Sequence, residues 1–305
     1  MLGIGGGGDV VGALAAARMC EAFGAECILG GVAWERFAID PSPGPRRMDE
    51  IRGGRPIGAH AVVADPGTAT SDGVRFAESG MAAHLGAATV LIDINGGPRG
   101  AAEGIAAAAE ELACDLAVYV DVGGDVLARG DEPGLASPLC DAVMLAAAVR
   151  AGDRVPGAGA VFGAGCDGEL TPDEVVERIA ALGAAGGWIG TWGLTEAVAA
   201  EIEAAAREVP TEASLQAVRC FRGETGKAEI RDGRRRVRLT PLGALTFFYD
   251  LRLALDGSAP LARAVANADD LEAARDALAA LGIRTELDYE RERAGATGTE
   301  RRRSS

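Results

Sequence analysis

The sequence predicts an α/β fold: a doubly wound, mostly parallel, Rossmann-like sheet with a small C-terminal β-rich appendage. Three observations predict it. Short apolar runs alternate with Ala-rich helical stretches to about residue 208. Many of those runs end in clusters of glycine and carboxylate, as strand–loop–helix turns of such sheets do. The chain has 305 residues, 48% of them hydrophobic, enough for one large α/β domain plus an appendage.

The first element is a short apolar strand, Met1 to Ile4, followed by Gly5, Gly6, Gly7, Gly8 and Asp9. Val10 to Phe23 is Ala-rich and apolar nearly all round, which predicts a buried helix. Glycine lets a ligand approach the backbone closely, and a helix start offers unpaired N–H groups to an anion. Gly3, Gly5 and Gly8 satisfy the spacing of a dinucleotide loop, as a glycine run readily does. Asp9 opposes that simple version, because a carboxylate there caps the N–H groups itself and repels a diphosphate. Asp9 is either a cap or a ligand to a divalent cation.

Glu26 to Trp34 reads as the second strand, with Glu35 at its end as a solvated charge. The loop from Asp40 to Arg47 is proline-rich and brings Arg46 and Arg47 to where an anionic ligand would lie. His60 to Asp65 is a strand, and a helix covers Met81 to Leu85. Ala88 to Asn95 is a buried strand by its continuous apolar run. Gly96, Gly97 and Arg99 follow it as a second anion cradle, with Pro98 near the start of a helix that runs to Leu112.

Cys114 to Val120 is the next strand, leading into Asp121, Gly123, Gly124, Asp125, Asp131 and Glu132. Four carboxylates in twelve residues, interleaved with glycine, make this stretch a concentrated polar signal. A helix starts at Ser137-Pro138 and ends near Val149. Gly157 to Phe162 is a strand, and Cys166, Asp167 and Glu169 lie between it and the capping box Thr171-Pro172-Asp173-Glu174. Gly187 to Trp192 reads as the last core strand and Thr195 to Glu208 as the last core helix.

The pattern then changes, so residues 1–208 are assigned to the ligand-binding α/β domain and 209–290 to a small region packed on it. In that region Ser214 to Arg222, Ala228 to Asp232 and Arg235 to Thr240 read as short antiparallel strands, with a turn at Asp232-Gly233. Phe247, Phe248 and Tyr249 form an aromatic cluster, and Asp269 to Leu281 is a helix with Gly282 as its C-cap. Residues 291–305 are charged and repetitive, which predicts a disordered tail.

Composition excludes several functions. The net charge of −15 argues against nucleic acid and anionic membranes as partners, and the arginine-rich hairpin around Arg231 is expected to face solvent or the acidic body. No apolar run has the length of a membrane span and no signal peptide precedes the first strand, so the cytoplasm is the expected location. Six cysteines without a CxxC and only two histidines exclude a zinc site built mainly from imidazoles. Lys227 is the only lysine, and neither a phosphate-loop lysine motif nor a GxSxG elbow occurs. Cys166 has no histidine nearby in sequence to activate it and is expected to be an inert thiol.

The segments GGGGDVVGALAAAR, GGVAWERF, LIDINGG, DVGGDVLARGDEPGLASPL and FGAGCDGELT together resemble the domain-of-unknown-function family eleven fifty-two. The resemblance runs from Gly5 to about Ala264. It implies an intact member of one uncharacterised family of archaeal and bacterial proteins and supplies no activity and no catalytic residues.

Chemistry therefore follows from placement. In a doubly wound sheet the C-terminal strand ends share one edge. That edge would carry Gly5 to Asp9, Glu35, Asp93, Asp121, Asp125 and Cys166 to Glu169. Carboxylates so dense repel one another unless a cation sits among them, and oxygen ligands suit Mg²⁺ or Mn²⁺. The leading expectation is a Mg²⁺- or Mn²⁺-assisted enzyme acting on a phosphorylated or nucleotide-like small molecule. Asp121 and Asp125 hold metal with Asp9 as a third ligand, Glu169 or Asp167 is the general base, and Gly5 to Gly8, Gly96, Gly97 and Arg99 bind phosphate. The alternatives are an NAD(P)- or flavin-dependent oxidoreductase and a non-catalytic small-ligand binding protein. Homo-oligomerisation is left open.

Overall fold

In a computed structural model describing residues 1–303, the strands run β1 (Leu2–Gly3), β2 (Gly30–Val32), β3 (Ile51–Arg52), β4 (Arg55–Ile57), β5 (Ala61–Ala64), β6 (Ala69–Thr70), β7 (Thr89–Ile92), β8 (Ala117–Val122), β9 (Gly157–Phe162), β10 (Trp188–Gly193), β11 (Gly226–Ile230), β12 (Arg235–Leu239) and β13 (Leu245–Tyr249). Nine of them form one mixed sheet in the order β10-β13-β9-β8-β1-β2-β7-β5-β4. The five central strands, β9-β8-β1-β2-β7, are parallel. From β1 the chain steps one way through β2 and β7, then returns to the other side of β1 for β8 and β9. The loops holding Gly8, Gly96, Gly124 and Gly165 follow four of these strands and so share one edge.

Helices cover both faces: α1 (Asp9–Ala22), α2 (Ala77–Leu85), α3 (Gly97–Glu111), α4 (Pro138–Ala151), α5 (Pro172–Ala184), α6 (Glu196–Ala205), α7 (Glu212–Phe221), α8 (Leu251–Leu253), α9 (Pro260–Val265), α10 (Leu271–Ala280) and α11 (Glu286–Arg303). β8 shows how two cores arise from one strand, because successive side chains leave opposite faces. Val118, Val120 and Val122 pack with α1, α6 and α7. Tyr119 joins the other core, with α3, α4, α9 and α10. All six β8 residues are buried, so the strand reads as apolar except for Asp121. Among the described residues no helix is long and apolar enough to cross a membrane.

Several expectations need correction. The sheet does not stop near residue 208: β13 inserts antiparallel between β9 and β10. Phe247 and Tyr249 enter one core and Phe248 the other, and an aromatic run buried on both faces makes a sheet strand rather than a surface cluster. β10 is an edge, not a core, strand, with Trp188, Ile189 and Trp192 exposed. β5 and β4 are antiparallel additions at the far side.

Ser214 to Arg222 is helical, not extended. Ser214, Ala217, Val218 and Phe221 recur at helical spacing and turn inward from α7. Only β11 and β12 remain of the expected small sheet, paired as a hairpin through Ala228↔Val237. The disordered tail expected from Arg291 is instead the continuation of α11. The start of that helix is held inside the body by Glu286, on the N–H groups of Leu139 and Cys140, and by Glu290, on Trp34 and Gly44, and Arg291 pairs with Glu272. Residues 304–305 lie outside the described residues.

Candidate active site

The glycine loop is shaped by the end of β2. Gly7 N–H donates to the Trp34 carbonyl at 2.9 Å, and Gly6 and Gly7 have φ of +75° and +53°. A Cβ on Gly6 would stand 2.8 Å from that carbonyl oxygen, so glycine is required there. Asp9 opens α1 but turns back: its Oδ2 accepts from Gly5 N–H at 3.0 Å and from Val122 N–H at 3.4 Å. Asp9 thus joins the ends of β1 and β8 and leaves the helix start uncapped by a side chain.

Asp121 ends β8 on the α4 side, where its Oδ2 accepts Val126 N–H at 3.1 Å. Asp125 follows through Gly123 and Gly124, whose φ of +134° and +119° fold the chain back. Asp141, in the first turn of α4, faces the glycine loop: a Cβ on Gly5 would stand 2.6 Å from Asp9 Oδ2 and 3.2 Å from Asp141 Oδ2. Asp9, Asp121 and Asp141 each bring one oxygen within 4.8 Å of the others, and so do Asp125, Asp167 and Glu169. The two triads lie close enough to act on one another, the charges of Asp141 and Asp121 both raising Asp125. All six residues are buried.

Burial pushes Asp9 up to about 6 and lifts Asp121, Asp125 and Asp141 well above the usual carboxylate range, with their acidic neighbours adding to the rise of the last three. Asp167 is pushed up to about 7 by burial and by Glu169. Burial raises Glu169 too, but Arg235, the Ser137 hydroxyl and the N–H groups of Ala136 and Ser137 outweigh it and hold the group at about 2. Two carboxylates of one loop therefore differ sharply: Glu169 is an engaged anion, whereas Asp167 keeps Oδ1 without a donor.

Arginines stand opposite the acids. Arg235, from β12, reaches Glu169 at 2.7 Å. Arg231, in the hairpin turn, is half-buried and lowered to about 10 by burial and by Arg36 and Arg235. Arg36, just beyond β2, is held charged by Asp9, Glu169, Glu286 and Asp125 despite its burial. Neither the Arg36 nor the Arg231 side chain makes an ion pair or hydrogen bond among the described residues. A cavity of about 240 Å³ lies against the loop, lined by Gly7, Gly8, Glu35, Arg36 and Arg75 among others.

Of the residues expected at the site, Gly5 to Gly8, Asp9, Asp121, Asp125, Asp167 and Glu169 are brought together. Gly96, Gly97 and Arg99 share the sheet edge but not the cluster. Gly96 packs on His60 and Gly97 on the Asp270 backbone, while Arg99 is exposed. Arg46 is committed to Asp40 and Asp72, and Arg47 is exposed. Glu35 is not the solvated charge expected: it is buried and accepts Ala77 N–H at the start of α2. Cys166 is a buried free thiol that donates to the Gly243 carbonyl, and the neighbouring Cys220 together with burial pushes it up, as an inert thiol would be.

Sequence reasoning missed Asp141 and Glu286; it placed Arg36 at a strand end and the Arg231 hairpin against solvent or the acidic body without assigning either to the site. Glu286 accepts Leu139 and Cys140 N–H, at 3.0 and 2.8 Å, from the far end of the chain. The available signal for Asp141 was a carboxylate in the first turn of an otherwise apolar helix.

Residues 1–294 match the family described as "Protein of unknown function (DUF1152)". The chain belongs to this family. The match takes in every residue of the acidic cluster, its arginines and Glu286, so the site lies wholly within the family's extent. No curated protein and no solved structure matches the chain.

Proposed function

We propose that this protein is a Mg²⁺- or Mn²⁺-assisted enzyme acting on a phosphorylated or nucleotide-like small molecule. One observation carries it: six buried carboxylates converge beside a glycine loop, and of the nearby arginines only Arg235 is ion-paired to them. A cation relieves that repulsion, and oxygen-only ligands suit a hard divalent ion. Asp9, Asp121 and Asp141, with Asp125, would hold the ion. Gly5 to Gly8 and Arg36 would take the phosphate. Asp167 is the better general base than Glu169, because its free oxygen and a pKa near 7 suit proton uptake.

We read the sheet as Rossmann-like. The strand order reverses beside β1, and doubly wound sheets bind ligands at that point. The same topology favours the second reading, a nicotinamide- or flavin-dependent oxidoreductase, which Asp9 on Gly5 opposes. The ion can reach the protein through inorganic salts alone, so calorimetry and melting with Mg²⁺ or Mn²⁺, with and without phosphate, test the proposal. Wild type should bind and gain melting temperature with concentration. Asp125→Asn should lose most of the gain, and Asp173→Asn, an exposed residue on Arg238, should keep it. Absence of ion binding, with NADH or flavin binding instead, would move the assignment to the oxidoreductase.

A further inference from the structure

The carboxylates form two groups, and each group retains an unmet acceptor. Asp141 Oδ1 in the first and Asp167 Oδ1 in the second have no donor, with those residues 2% and 5% exposed. A third unmet group comes from elsewhere in the fold. The Tyr249 hydroxyl, on β13, is wholly buried without a partner, and Asp121 and Asp141 are the charges that act on it. Buried polar atoms are rarely left unpaired, and three around one cluster mark places for missing partners.

Charge points to cations as those partners, and the two groups point to two of them. Asp9, Asp121, Asp125, Asp141, Asp167, Glu169 and Glu286 contribute seven negative charges when ionised. Arg36, Arg231 and Arg235 contribute three positive ones. When ionised the acids thus outnumber these arginines, an excess that cations relieve.

We infer that the site holds two divalent cations, one among Asp9, Asp121 and Asp141 and the other on Asp125 and Asp167. This rests on the metal-dependent reading above and makes it specific. Glu169 supplies charge rather than a ligand, since Ala136, Ser137 and Arg235 already occupy both its oxygens. Two carboxylates per ion suffice for Mg²⁺, which keeps several of its waters.

Paired ions suit displacement at phosphorus, where one activates the attacking oxygen and the other steadies the leaving one. The substrate class is thus a phosphate ester or anhydride with its anionic oxygens towards Arg36. Water forms the new P–O bond as the bond to the leaving oxygen breaks. With Asp167 engaged by the second ion, the proton of that water passes to solvent, and the leaving oxygen is protonated from solvent.

The test is the number of Mn²⁺ ions bound by the full chain, read by calorimetry and by electron paramagnetic resonance. Wild type should saturate at two ions, with a spectrum showing coupling between them. Asp141→Asn and Asp167→Asn should each saturate at one uncoupled ion. Melting in chelator keeps the variants interpretable: removing one of several crowded charges should not lower it. Saturation of wild type at one ion would overturn the pair while leaving the one-ion reading standing. No binding at all would overturn both, and two ions in either variant would overturn the ligand assignment.

Discussion

Arg235 Nη1 stands 2.7 Å from Glu169 Oε1, and this pair fastens the β11–β12 hairpin to the acidic loop after β9. Both groups are largely buried, so neither is well served by water. The hairpin is part of the site rather than an ornament on it, because the same turn delivers Arg231 to the acids.

Removing one partner of a buried pair leaves the other charge uncompensated. Arg235→Ala should therefore lower unfolding stability by about 3 kcal/mol. Arg235→Lys, with one point charge in place of a fork, should recover part of that. Urea unfolding followed by circular dichroism checks this, and a loss below about 1 kcal/mol would mean that the pair behaves as a surface one.

Without divalent ions, stability should fall as pH rises from about 4.5 to about 7. Glu35 and Glu286 go from 4.5 to about 7 in the folded chain, burial being the main cause. The folded state then binds more protons than the unfolded one across that window, so deprotonation disfavours it, and the contribution of these two groups levels off above pH 7. Glu169 acts in the opposite sense, and its contribution is lost only as pH falls from 4.5 towards about 2. Urea midpoints in chelator should be higher at pH 5 than at pH 8, and Glu35→Gln should flatten part of the slope.

Gly123 is predicted to be irreplaceable. Its φ is +134°, and a Cβ there would stand 2.2 Å from the Asp167 carboxylate. Gly123→Ala should cost more than about 2 kcal/mol or displace Asp167, whereas Gly190→Ala, with open space around it, should be nearly neutral. Paired thermal melts distinguish the two, and equal melts would remove the strain argument.

Much of this site was legible because strand ends carry their own punctuation. Gly5 to Asp9, Asp121, Asp125 and Asp167 to Glu169 each follow an apolar run and precede a helix, and parallel pairing then collects them on one edge. Asp141 was hidden by its surroundings: eleven other residues of α4 are buried, so the helix reads simply as core. Glu286 and Arg231 were hidden by distance along the chain, since local periodicity holds no information about which remote segment docks where. The insertion of β13 between β9 and β10 is the same kind of fact, an antiparallel pairing across more than eighty residues. Arg99 failed for the opposite reason, being near the right edge in sequence yet left outside when residues 268–271 covered its loop.

Arg36 should affect cation and anion binding in opposite directions. Its guanidinium feels Asp9, Asp125, Glu169 and Glu286 but is ion-paired to none of them among the described residues. A fixed positive charge among the carboxylates weakens their hold on a metal ion and strengthens the hold on a phosphate. Arg36→Gln should thus bind Mn²⁺ several-fold more tightly than wild type while binding phosphate, in the presence of Mn²⁺, at least about tenfold more weakly, a change of roughly 1.4 kcal/mol. Arg99→Gln, on the exposed loop after β7, should change neither. Calorimetric titration with the metal alone, then with phosphate over saturating metal, separates the two effects. Weaker metal binding in Arg36→Gln would show that the guanidinium props the acids in place, and unchanged phosphate binding would take the anion away from Arg36.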